Sequence, residues 1–235
     1  MPHERFFIDQ PLMSGKRISL RDAEFHHLCH VMRAHVGDPI ELVNGKHQLA
    51  HASVAQITKK EVQLILSHVH TEESLSPRVI LAQAIPRFNR LEYILEKSVE
   101  LNVSEIWLFP SLLSEKTVFS DNQSTRMSQV CIAAMKQCGR LDLPPIKIHP
   151  PLLQWKPLEG QVLFGDTASD APLLKQLPQV LFPITFFIGP EKGFPPQEVL
   201  FLKQTLKAQG VRLHQHILRV DTAPLAALSQ LFLFY

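Results

Sequence analysis

The stretch from Ile184 to Glu198, ITFFIGPEKGFPPQE, contains residue types that hold a nucleotide-like ligand at the end of a strand. Ile184, Phe186, Phe187 and Ile188 form a short apolar run rich in strand formers, which Gly189-Pro190 ends. Gly193 gives the loop a second place where backbone can approach a ligand with no Cβ in the way. Pro195 and Pro196 preset the first turn of a helix, and Glu198 complements its dipole. An ordinary strand-to-helix turn has the same spacing, so a second stretch, Leu213 to Leu228 (LHQHILRVDTAPLAAL), carries weight. There Ile217-Leu218 reads as a brief strand that delivers Arg219, and Asp221-Thr222 reads as the cap of a helix starting near Ala223-Pro224. Arg219 is then a permanently charged fork held from both sides. Its alternative reading is a structural ion pair with Asp221 or Glu191.

The elements that must position these stretches change character along the chain. Residues 1 to about 70 carry short alternating segments: Arg5 to Ile8, Arg17 to Leu20, Ile40 to Val43, Leu49 to Ile57 and Val62 to Leu66. Turn-prone pieces such as Gly37-Asp38-Pro39 and Asn44-Gly45 separate them, a spacing that predicts a small β-barrel. One helix interrupts it, from Asp22 to about Ala34, with Phe25, Leu28 and Met32 on one face. His26 and His30 share a face of that helix, but no third ligand lies at suitable spacing. They read as solvated or RNA-facing surface rather than as a zinc site.

The polar segment Thr71 to Pro77, TEESLSP, reads as a linker. Beyond it strands and helices alternate: Val79 to Ile85, a helical stripe of Leu91, Ile94, Leu95 and Val99 ending at Asn102, then Ile106 to Phe109. A second helix carries Met127, Val130, Cys131, Ala134 and Cys138 at helical spacing and closes at Gly139, so both cysteines read as core residues. Arg140 emerges just beyond. A proline-rich passage precedes the strand Val162 to Phe164. The alternation predicts a mostly parallel α/β sheet whose ligands bind beyond the carboxyl ends of the strands.

Composition narrows the class. A chain of 235 residues is long enough for one large domain or two modest ones. Mean hydropathy of +0.02, with no apolar run of the roughly 20 residues a membrane span needs, reads as a soluble protein. The first residues, MPHERFFIDQ, do not resemble a signal peptide, which makes the cytoplasm the expected location. Cys29, Cys131 and Cys138 lack CxxC spacing, against a disulfide framework or zinc knuckle. A net charge of +2 leaves any RNA contact to local patches.

Four ordered signatures resemble the ribosomal RNA small-subunit methyltransferase E family, a branch of the SPOUT methyltransferases. They are HHLCHVMRAHVGD at residues 26–38, LEYILEKSVELNVSEIWLF at 91–109, AAMKQCGR at 133–140, and IGPEKGF followed by ILRVDTA. The match is collinear over most of the chain. The resemblance implies a PUA-like RNA-binding β-barrel domain over residues 1–72 and a SPOUT methyltransferase domain over 78–235. The second would be an α/β fold, a parallel sheet with a trefoil knot. It further implies a homodimer, no membrane association, and S-adenosylmethionine as cofactor with no metal. The implied function is methylation of N3 of a specific uridine in 16S rRNA of the small ribosomal subunit.

By the same resemblance, three loops hold the cofactor. They are Phe164 and Gly165 to Asp166; Ile188, Gly189, Pro190 and Glu191 to Gly193; and Leu213 and His214 to Ile217 and Leu218, continuing to Thr222 and Ala223. Uracil N3 is a poor nucleophile while protonated, and a cation near O2 or O4 favours the anionic base. Arg219 is the expected catalytic cation, Arg140 a second one, and Arg33, Lys116 and Lys192 the expected contacts to substrate RNA. The chain departs from the family pattern in places. Lys192 and His214 stand where glycines are typical, Pro195 replaces a serine, and His216 and Lys116 replace arginines. Asp221 and Lys136 replace glutamates. A glycine at 214 would suit a positive φ. Two alternatives remain: a SPOUT RNA methyltransferase with a different target atom, and a catalytically silent RNA-binding homologue, for which Lys192 and His214 speak.

Overall fold

The structure, a computed structural model, describes residues 4–73, 76–115 and 117–234. The chain divides into two compact units, Met1–Leu75 with Ile132–Leu143, and Ser76–Cys131 with Pro144–Tyr235. Ser74 and Leu75, in the expected linker, lie outside the described residues, as does Lys116.

In the N-terminal unit one curled sheet runs in the order β1-β3-β4-β5-β2. Its strands are β1 (Arg5–Phe7), β2 (Arg17–Leu20), β3 (Pro39–Val43), β4 (Gln48–Ile57) and β5 (Val62–Thr71). β1 pairs with β3 in parallel, and the other pairings are antiparallel. β4 shifts register against β5 at His51/Ala52 and again at Val54/Gln56; such bulges add twist and bend the sheet around its apolar face. Phe6, Ile18, Leu42, Ala50 and Leu64 point into the enclosed core.

The helix expected over 22–34 is shorter and changes pitch. An α-helix, α1, covers Asp22–His26, and a π-helical turn continues it over His27–Val31, with Met32 N–H donating to His27 O at 3.0 Å. A π turn holds one residue more than an α turn, so the buried stripe slips. Phe25 and Leu28 keep their place against the core, Cys29 and Ala34 join them, and Met32 turns outward.

The C-terminal unit is built on six parallel strands in the order β11-β9-β10-β6-β7-β8. In chain order these are β6 (Val79–Ala84), β7 (Glu105–Phe109), β8 (Ile146–Ile148), β9 (Gln161–Gly165), β10 (Ile184–Ile188) and β11 (Gln209–Val211). All six residues of β6 and all five of β10 are buried, as strands covered on both faces require. The helices are α2 (Phe88–Glu100), α3 (Asp121–Cys138), α4 (Pro196–Gln204) and α5 (Ala223–Leu231); the end of α3 falls in the N-terminal unit. The stripe of α2 is Leu91, Ile94, Leu95 and Val99, and Asn102 beyond it has φ +60°.

Three expectations need correction. Cys138 is exposed, because the buried stripe of α3 runs through Met127, Cys131 and Met135 in steps of four and leaves the last turn outside it. Ile217-Leu218 is not a strand. The edge strand is β11, and after it Arg212 N–H donates to Pro172 O while Arg212 O accepts from Leu174 N–H, so the chain turns away from the sheet at that point. Finally, Thr222 precedes α5 without a side-chain capping bond; the N–H groups of Thr222 and Ala223 donate instead to Arg219 O, at 3.0 and 2.9 Å.

Candidate active site

β11, β9 and β10 are neighbours, and the loops leaving their carboxyl ends enclose a cavity of about 470 Å³. The end of β9 contributes Phe164 and Gly165, and the residue after it is Asp166. The β10 loop contributes Ile188, Gly189, Pro190, Glu191, Lys192 and Gly193, and the segment after β11 contributes Leu213, His214, Ile217 and Leu218. Ala223 closes one side at the start of α5. Of the residues expected to hold a cofactor, Thr222 alone is not in the lining. Phe194, Val199, Arg212 and Val220 also line the cavity and were not singled out in the sequence. Arg212 and Phe194 adjoin the expected loops and Val220 falls within one, whereas Val199 reaches the cavity from α4.

Local chemistry explains the loop shapes. Gly193 has φ +74°, a conformation costly for other residues, and its N–H donates to Pro190 O at 2.9 Å to close the turn. Beneath the cavity, a Cβ on Gly210 would overlap the Asp166 carboxylate and come within 2.9 Å of the Phe164 ring. His214 is not among the positive-φ residues, so the histidine there carries no backbone strain. The His214 Nδ1 accepts from His216 N–H at 3.1 Å.

Asp166 is held by both its backbone and its side chain. Its N–H donates to Val211 O at 2.9 Å and its Oδ1 accepts from Ala168 N–H at 2.9 Å. Its buried Oδ2 makes no hydrogen bond among the described residues, although Lys203 Nζ lies 3.3 Å away. An acceptor left in this state is suited to a ligand hydroxyl or amine.

The cations are distributed differently. Arg219 is not part of the lining; its side chain is 69% exposed, and its contacts to Asp221 are long, 3.4 and 3.5 Å. Lys192 lines the cavity. Arg140 belongs to the N-terminal unit, where its guanidinium pairs with Asp142, and Arg33 of the same unit has φ +56°. Lys136 pairs with Glu24 at 2.7 Å, also within that unit. Glu191 accepts from Arg87 N–H at 3.0 Å, and among the described residues the ion pair of Arg219 is with Asp221, not with Glu191. Among the described residues no three His, Cys, Asp or Glu side chains group to hold a metal ion, and no helix is long and apolar enough to cross a membrane.

Comparison with known proteins assigns the class. The profile of an RNA methyltransferase domain matches residues 72–232, and that of an RNA methyltransferase PUA domain matches residues 20–67. Fold and cavity together are those of an RNA methyltransferase. The ribosomal RNA small subunit methyltransferase E of Synechocystis sp. is 30% identical over 91% of this chain and 72% of its own length. The enzyme of the same name from Buchnera aphidicola is 25% identical over 97% of this chain and 92% of its own. The crystal structure of a ribosomal RNA small subunit methyltransferase E from Neisseria gonorrhoeae, bound to S-adenosyl methionine, is 27% identical. It superimposes with a TM-score of 0.87 over 100% of this chain and 98% of its own. The chain belongs to the ribosomal RNA small subunit methyltransferase E family.

Proposed function

We propose that this protein transfers a methyl group from S-adenosylmethionine to N3 of a uridine in 16S rRNA of the small ribosomal subunit. The observation that carries the reading is the cavity at the carboxyl ends of β9, β10 and β11, in a chain whose Neisseria relative was crystallised with that cofactor. The lining fits such a ligand. Its volume lies in the range of small-molecule sites. Phe164, Ile188, Leu213 and Leu218 offer apolar walls for a base and a thioether-like chain, and Asp166 offers an acceptor for hydroxyls or an amine. When bound, the cofactor supplies a methyl group on a sulfonium, which is its own leaving group.

The chain's task is therefore position and charge. The Gly189–Gly193 loop and the segment after β11 would hold the cofactor, and Arg219 would stand beside the uracil. Its backbone is fixed at the entry to α5, and the long contacts to Asp221 leave its guanidinium available to a substrate carbonyl. A fixed positive charge there favours loss of the N3 proton and stabilises the anionic base. Lys192 at the cavity, with Arg33, Lys116 and Arg140, would meet the RNA backbone. The reading extends to a PUA-like domain over 1–72, a SPOUT domain over 78–235 with a knotted cofactor loop, a homodimer and a cytoplasmic location.

The test is methylation of small subunits from a strain lacking the enzyme, followed by mass mapping of modified nucleosides. A single new 3-methyluridine in 16S rRNA is the expected product. A methyl group on another atom would move the protein to a different target. Cofactor binding without transfer to any RNA would make it a silent RNA-binding homologue.

A further inference from the structure

Three adjacent strands of the C-terminal sheet, β10, β6 and β7, end in loops that one residue ties together. Arg87 follows β6 and precedes α2. Its backbone N–H donates to Glu191 Oε1 at 3.0 Å, in the β10 loop that walls the cavity, and Arg90 Nε lies 4.0 Å from the same oxygen. Its guanidinium forks onto Glu115 in the loop after β7, Nε to Oε2 at 3.0 Å and Nη2 to Oε1 at 2.9 Å. Neither Arg87 nor Glu115 lines the cavity. The loop after β7 is fastened a second time by Glu198 on α4, which accepts from Ser111 Oγ at 2.6 Å and from Leu112 N–H at 3.0 Å. The segment from Gly189 to α4 is thus moored at both ends to its neighbours.

We propose that Arg87 is a positioning residue: paired with Glu115, it holds the Gly189–Gly193 loop in the shape that receives the cofactor. It thereby couples the loop after β7 to the cavity. Hydrogen bonding and charge from Arg87 lower the pKa of Glu115, and the same contact raises that of Arg87, so both partners are ionised at neutral pH. A planar fork is needed to engage both carboxylate oxygens while the backbone of the same residue meets Glu191, which a lysine ammonium cannot reproduce.

The inference rests on the reading of the cavity as the S-adenosylmethionine site, so its test has a readout that needs no ligand. Amide hydrogen exchange of residues 191–194 is measured on the free full-length protein, and cofactor affinity by calorimetry, for wild type, Glu115→Gln and Arg87→Lys. Both variants are expected to speed exchange in that loop and to weaken cofactor binding about two- to fivefold, the scale of an exposed ion pair, with an unchanged melting temperature. The double variant is expected to be no weaker than the worse single one, since both remove one interaction. Asp9→Asn serves as control: it removes the exposed Lys46–Asp9 pair, 2.7 Å long and in the N-terminal unit, and is expected to change neither readout. Unchanged exchange in Glu115→Gln, or the same changes in Asp9→Asn, overturns the proposal. A wild type that binds no S-adenosylmethionine, but whose loop exchange still responds to Glu115→Gln, overturns the cofactor assignment and leaves the tie in place.

Discussion

Arg219 has a fixed backbone and a loosely held side chain, the combination that suits a charge meant for a substrate rather than for the fold. Its carbonyl accepts two hydrogen bonds at the start of α5, while its guanidinium reaches Asp221 only at 3.4 to 3.5 Å. Arg219→Ala is therefore expected to keep cofactor binding and the melting profile. Methyl transfer should fall about a hundredfold or more, on the order of 3 kcal/mol of transition-state stabilisation. Activity that merely tracks the folded fraction would assign Arg219 a structural part. The sequence points to this arginine for a reason the structure changes: Ile217-Leu218 has the look of a strand, yet Ile217 is 81% exposed and lines the cavity. Apolar pairs that face a ligand and apolar pairs that face a sheet have the same composition, so pattern alone does not separate them. Glu105 is a different kind of residue. Burial opposes its ionisation, but hydrogen bonds from Lys147, Trp107 and Arg78 outweigh that and pull its pKa down to about 2. A folded pKa below the unfolded one means a contribution to stability that is full above about pH 4.3 and lost as pH falls towards the folded value. Thermal melts across that acid range should show a steeper fall for wild type than for Glu105→Gln, the two converging at the acid end; parallel curves would remove the claim.

At the scale of elements, Glu198 shows how a residue legible for one reason serves another. Its place in the first turn of α4 suggests a partner for the helix dipole. In the structure its side chain is 1% exposed and satisfies the hydroxyl of Ser111 and the N–H of Leu112, joining α4 to the loop after β7. Glu198→Ala leaves the buried hydroxyl of Ser111 and the partly buried N–H of Leu112 without their acceptor, so a loss of about 1–3 kcal/mol is expected in denaturant unfolding, with a matching fall in melting temperature. A loss within a few tenths of wild type would mean that water replaces the carboxylate freely. The helices were otherwise readable from their stripes, because α2 buries Leu91, Ile94, Leu95 and Val99 at the spacing the sequence displays. The π turn after α1 was not, since one inserted residue leaves the composition of the segment unchanged while rotating Met32 out of the core.

At the scale of the whole molecule, the alternation of strands and helices makes a parallel sheet legible, whereas the order β11-β9-β10-β6-β7-β8 carries no local signal. The grouping of residues 132–143 with the N-terminal unit is equally silent in the sequence, for it brings together distant positions, as in the bond from Arg5 Nη1 to Gly139 O at 2.7 Å. The proposed homodimer is the remaining feature at this scale. α5 packs against α2 and ends in a 3-10 turn, Phe232–Phe234, whose Phe232 is 58% and Leu233 78% exposed. Tyr93 on α2 is a further large exposed apolar side chain, at 45%. This apolar group at the α2–α5 face is the surface the proposed homodimer would use. A stable interface buries roughly 800 Å² on each partner and is weakened most by a charge placed at its centre. Sedimentation equilibrium at micromolar concentration is accordingly expected to give a dimer for wild type and a shift towards monomer for Leu233→Asp, with each protomer still folded by circular dichroism. A wild-type monomer at that concentration would remove the dimer. A Leu233→Asp variant as dimeric as wild type would place the interface away from the end of α5.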